Sequence, residues 1–227
     1  MIPLSSFEET TQPSTLIRPK SAVLRGIASF ISYVFHPIFI PAYVVAFLLY
    51  VHPSLFSGFS ALQKGRTMII SIINMVAFPL ISVLLLKGLG FIDSIFLRTR
   101  KDRIIPYIAS GIFFFWAYTV FHQQENYPPL LSAFIFGVFL ASSVALIANI
   151  YFKVSMHAIG VGGLTGVFIV MANNYSMLMA WPLSAAVLIT GLVCTARLIV
   201  SDHNQKDIYG GLFIGLATQL VAAYIML

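Results

Sequence analysis

Apolar runs of similar length follow one another along the chain, at 27–51, 67–87, 105–122, 129–151, 157–172, 180–200 and 207–227. A helix needs about 20 apolar residues to cross the hydrocarbon core of a bilayer. The pattern therefore predicts an all-α polytopic membrane bundle of six to seven transmembrane helices, seven by direct count. The first run is irregular: His36-Pro37 and Pro41 predict a kink or a re-entrant hairpin, since proline removes a backbone donor. Ahead of it, residues 1–26 are polar and end in Arg18, Lys20 and Arg25. They read as a short cytoplasmic tail, without the early apolar core and small-residue cleavage site of a signal peptide. The chain thus divides into a tail, 1–26, and a bundle, 27–227, with neither internal repeat nor low-complexity segment.

Composition strengthens this reading. Hydrophobic residues make up 59% of the chain and the mean hydropathy is +0.94, far from a soluble domain's mix. An integral protein of the cell membrane, the inner one where there are two, is expected. The formal charge of +6 needs no nucleic-acid partner, because the basic residues gather at helix ends and do not alternate with aromatics. The single cysteine, Cys194, lies in an apolar run and offers neither a disulfide framework nor a thiolate metal site.

The connections differ in charge. Residues 122–129 and 173–176 carry no lysine or arginine, whereas 88–105 holds Arg98, Arg100, Lys101, Asp102 and Arg103 just before Pro106. With seven spans, this basic loop, the loop at 152–156 and the loop at 201–207 share one membrane face. That face and the tail then hold every lysine and arginine except Lys64 and Arg66. The positive-inside rule makes it cytoplasmic.

Candidate chemistry centres on residues 196–211, where Arg197, Asp202, His203 and Asp207 stand between two long apolar runs. Charges against hydrocarbon cost roughly 2.5–3.5 kcal/mol each on insertion scales, so such a cluster points to function. Helical geometry from about residue 203 would put His203 and Asp207 on one face, one turn apart. The carboxylate would fix the histidine tautomer and leave the other ring nitrogen to react. Arg197 offers a planar fork suited to phosphate. Upstream, Lys153-Val154-Ser155-Met156-His157 stands at a helix start, where free backbone amides and the Ser155 hydroxyl can meet an anion. A capping serine beside an interfacial histidine is the structural alternative. For Lys101 and Arg103 the alternative is a positive-inside anchor loop.

Arginine, five residues, histidine, three residues, aspartate and then glycine resembles the third signature of the type 2 phosphatidic acid phosphatase superfamily, the membrane lipid phosphate phosphatases. Lys153–His157 resembles its second signature, Pro-Ser-Gly-His, with Val154 for proline and Met156 for glycine. The first signature, a lysine followed six residues later by Arg-Pro, has no copy, although Lys101 and Arg103 supply cations just ahead of a helix. The resemblance covers roughly residues 98–215. It implies a phosphatase of phospholipid metabolism that needs neither metal nor cofactor. His203 would attack phosphorus to form a phosphohistidine, Asp207 would orient it, and His157 would protonate the leaving oxygen. Arg197, Ser155, Lys101 and Arg103 would hold the phosphate oxygens, since charge stabilisation is the main task in phosphoryl transfer. The implied substrate is an amphiphilic lipid phosphate or polyprenyl diphosphate.

The non-catalytic alternative is a degraded relative that binds an anionic lipid or serves as a subunit of a membrane complex or oligomer. A transporter is the weakest class, because apart from Arg197 near one end no charged residue lies well inside a predicted span. His36, His52 and His122 lack a carboxylate at helical spacing and read as interfacial or packing residues. Gly162/Gly166 and Gly211/Gly215 are four apart, a spacing that lets membrane helices pack closely. In the resembled family the site faces away from the cytoplasm, against the charge rule; a re-entrant hairpin at 27–51 would remove one crossing and reconcile the two. Cysteine labelling in intact cells decides the matter. An impermeant reagent should label a cysteine at Asn174 and leave one at Lys206 protected; the opposite pattern would reverse the assigned orientation.

Overall fold

Side-chain caps set the starts of most helices in the computed structural model, which describes residues 21–95, 97, 99–175, 179–200 and 204–227. Eight helices form among them: α1 Ala22–Val34, α2 Ile40–Val51, α3 Ala61–Gly88, α4 Arg100–His122, α5 Pro129–Tyr151, α6 Met156–Asn174, α7 Ala180–Val200 and α8 Gln205–Met226. Thr99 caps α4 by accepting from the Asp102 amide, and Ser155 caps α6 by accepting from Ala158. Ser60 with Gln63, and Asn204 with Asp207, form reciprocal capping boxes at α3 and α8. Each satisfies amide donors that a helix N-terminus otherwise leaves open.

The molecule is an all-α membrane bundle, and α3 to α8 are each long and apolar enough to span. The seventh expected span is two short helices. At 1.5 Å per residue α1 and α2 are each about 18–20 Å long, short of a core about 30 Å thick. Prolines cause the division. Pro37 lies in the link between them, and Pro41 sits in the first turn of α2, where its missing N–H costs little. Two boundaries also move, for the same capping reason. α1 begins at Ala22, inside the stretch assigned to the tail, because Ser21 caps it. The third helix begins at Ala61, six residues before the apolar run, because of the Ser60 capping box. Inside α3 a π-helical turn at Ile73–Ala77 precedes Pro79, a residue that cannot donate to the carbonyl one turn back.

The loops sort to two ends as helix parity requires. At one end the Arg103 guanidinium donates to the Val154 carbonyl and the Ser155 amide to the Asp207 carbonyl, joining the first turns of α4 and α8 to the α5–α6 connection. At the other, the Thr67 and Tyr127 hydroxyls are 3.1 Å apart and the His52 and Tyr175 rings pack edge to face. α2 runs beside α6 in the same direction, Pro37 against Gly160 and Phe47 against Phe168.

α6 is the most enclosed of the long helices, and it packs along its parallel neighbour α8 at backbone contact. A β-carbon added at Gly215 would collide with the Ile159 carbonyl, and one at Gly162 with the Leu212 carbonyl. The glycines singled out by spacing are thus the interface itself. Without a hydrophobic force between helices in lipid, such close dispersion packing is what holds a pair together. Gly215→Ala should lower the melting temperature by roughly 2–10 °C through overpacking. Gly191→Ala, at a lipid-facing helical glycine with open space around it, should leave it unchanged or raise it slightly. Thermal unfolding in detergent checks both; equal effects would show that the α6–α8 contact is not limiting.

Candidate functional site

A cavity of about 770 Å³ lies in the bundle toward the end where α4, α6 and α8 begin. Its polar end is lined by His36, Arg103, Lys153, His157 and Arg197. Pro79, Leu80, Val83 and Leu84 of α3, with Phe114, Phe134, Val138 and Leu164, form apolar walls. Leu80 and Leu84 of this wall are about half-exposed. Gln219 of α8 also lines the cavity, in the space left by Gly137, donating to the Phe134 carbonyl at 3.3 Å.

Arg103 is the best-held cation. It is buried, its Nε donates to the Leu97 carbonyl at 2.8 Å, and an Nη donates to the Val154 carbonyl at 2.9 Å. Leu97 has a left-handed backbone, φ 48°, a conformation that costs a non-glycine residue about 1–3 kcal/mol and persists only where the surroundings enforce it. Its buried side chain and the bond from Arg103 provide that enforcement. Arg103 and Arg197 line the same cavity and are near enough for their charges to repel. Repulsion of this kind in a low-dielectric site is relieved by an anion between the two groups.

His157 stands at the start of α6. Its Nε2 lies 3.1 Å from the Ser32 carbonyl. A carbonyl only accepts, so Nε2 carries the proton of this bond. The ring packs edge to face on His36, centroids 5.2 Å apart. Burial first, then the nearby Arg197 charge, hold the His36 imidazole below its usual pKa; both disfavour its cationic form.

The expected site residues divide as follows. Arg103, His157 and Arg197 come together on the cavity. Asp207 closes the capping box with Asn204, and its charge favours that of Arg103. Ser155 is fully buried, its hydroxyl accepting the α6 cap bond. Lys101 is exposed and does not line the cavity. His203, the expected nucleophile, lies outside the described residues. The helical register assumed from residue 203 begins instead at Gln205, because Asn204 is the cap.

Lys153, His36, Gln219 and Tyr107 are among the cavity residues that were not expected. Lys153 adjoins the second motif, and His36 sits in the proline-bounded break that marked the first run as irregular. Gln219 is a lone amide inside the last apolar run, a signal available in sequence because polar groups at bilayer depth are costly. Tyr107, one turn after Arg103, gave no such signal. No protein-family model, curated protein or solved structure matches the chain.

Proposed function

We propose that this bundle is a membrane phosphatase whose cavity holds a phosphorylated lipid, phosphate at the cationic end and hydrocarbon against α3. The observation that carries the reading is the pair of like-charged guanidinium groups, Arg103 and Arg197, on one cavity with apolar walls. An amphiphile with an anionic head matches both halves. Phosphate oxygens take the charge-assisted bonds of a guanidinium fork, and the hydrocarbon lies against the apolar walls.

Chemistry then follows the residues that resemble the lipid phosphate phosphatases. A ring nitrogen of His203, three residues beyond the cavity-lining Val200, bonds to phosphorus as the phosphorus–oxygen bond to the lipid breaks. Protonated His157, its Nε2–H held by the Ser32 carbonyl, gives its other ring proton to the departing oxygen. Water then attacks the phosphohistidine, His157 recovers a proton from it, and inorganic phosphate leaves with His203 restored. Arg103, Arg197 and Lys153 stabilise charge on the phosphate oxygens throughout.

A second reading, a lipid-binding protein without turnover, is favoured by the capping roles of Ser155 and Asp207. Phosphate release from a lipid phosphate in mixed micelles by the purified full chain separates the two. Turnover should survive a metal chelator and fall by about three orders of magnitude or more in His203→Ala, while Asp207→Asn keeps weak activity. Inert wild-type protein, or activity indifferent to His203→Ala, would favour the binding reading.

A further inference from the structure

We infer that His36, in the break between α1 and α2, is a phosphate-binding residue that donates from Nε2 to the bound lipid's phosphate. This rests on the lipid-phosphate reading above and adds to it an element, the α1–α2 link, that lies outside all three motif regions. The link is fixed against the first turn of α6 from several directions. A β-carbon added at Gly160 would come within 3.3 Å of the Pro37 backbone, so only glycine admits this approach without movement. His157 bonds the Ser32 carbonyl at 3.1 Å, and its ring meets the His36 ring. The break therefore has a set place on the cavity.

The tautomer of His36 is set too. The Ile38 amide donates to Nδ1 at 3.4 Å, so Nδ1 is an acceptor and a neutral ring carries its proton on Nε2. Burial and Arg197 favour that neutral ring. Among the described residues Nε2 makes no hydrogen bond, and it is not sealed away as the side-chain nitrogen Nε2 of His52 is. It is a donor on a cavity shared with Arg103, Lys153 and Arg197. A donor open to such a cavity can be met by whatever occupies it, and an anionic oxygen is the acceptor these neighbours would hold there. A neutral donor also adds a bond without adding to the positive charge already there.

The test compares oleoyl lysophosphatidate with uncharged monooleoylglycerol, which share a tail and glycerol and differ in the phosphate. Binding to the detergent-solubilised full chain is read by calorimetry, with melting temperature as a check of folding. His36→Ala should weaken lysophosphatidate binding about 5- to 20-fold and leave monooleoylglycerol binding unchanged. His36→Gln, whose amide nitrogen can reach the place of Nε2, should recover most of the difference. Two results would overturn the inference while sparing the reading beneath it. One is His36→Ala binding lysophosphatidate as tightly as wild type; the other is equal loss of both lipids, the mark of a ring that only shapes the pocket. Wild-type protein with no preference for the phosphorylated lipid would instead sink the lipid-phosphate reading and this inference with it.

Discussion

Backbone contact between α6 and α8 is the constraint on which the rest of the bundle depends. Gly162, Gly166, Gly211 and Gly215 let the two parallel helices approach to backbone contact. Their N-termini are thereby brought level, close enough for the Ser155 amide to donate to the Asp207 carbonyl at 3.0 Å. That bond ties the α5–α6 connection to the first turn of α8, and Arg103 ties in the first turn of α4 through Val154. The polar end of the cavity is assembled by this arrangement. A wider α6–α8 spacing would separate His157 from the loop that carries the third motif.

The same end concentrates what a bilayer protein ordinarily avoids. Arg103 and Arg197 are placed in a low-dielectric setting where like charges repel and desolvation is costly. Carbonyls meet part of that cost at Arg103, and Asp207 contributes an opposing charge. Retaining both cations beside two histidines makes physical sense if an anion completes the set. The rest of the lining is largely apolar, with Pro79, Leu80, Val83 and Leu84 supplied by α3. The π-helical turn at Ile73–Ala77 lies just before that stretch, so the helix that forms this wall has an interrupted hydrogen-bond ladder beside it.

Much of the fold was legible in sequence because bilayer crossing imposes length and apolarity on each helix. Six long helices, the two-ended sorting of loops and the glycine interface all followed from hydropathy, parity and spacing. What hydropathy could not show was the division at Pro37. The run 27–51 has the composition of a span, and only backbone chemistry turns it into two short helices. Caps were partly legible: Ser60-x-x-Gln63 and Asn204-x-x-Asp207 are readable patterns, yet the apolar runs began later than the helices. Arg103, His157 and Arg197, which motif chemistry singles out, all line the cavity. His36 stands out in sequence only by the prolines around it, since its place on the cavity depends on a link folding back onto α6, a tertiary event with no local signature. For Ser155 the sequence allows an anion ligand or a capping serine, and its hydroxyl accepts the α6 cap bond.

If the guanidinium pair and the apolar walls form one site for a phosphorylated amphiphile, an experimental structure of the full chain with a non-hydrolysable alkylphosphonate will show it. The phosphonate oxygens should lie within hydrogen-bond distance of both Arg103 and Arg197, with the alkyl chain along Pro79, Leu80 and Val83. A phosphonate bound elsewhere on the bundle, with the two guanidinium groups contacting only protein, would contradict it.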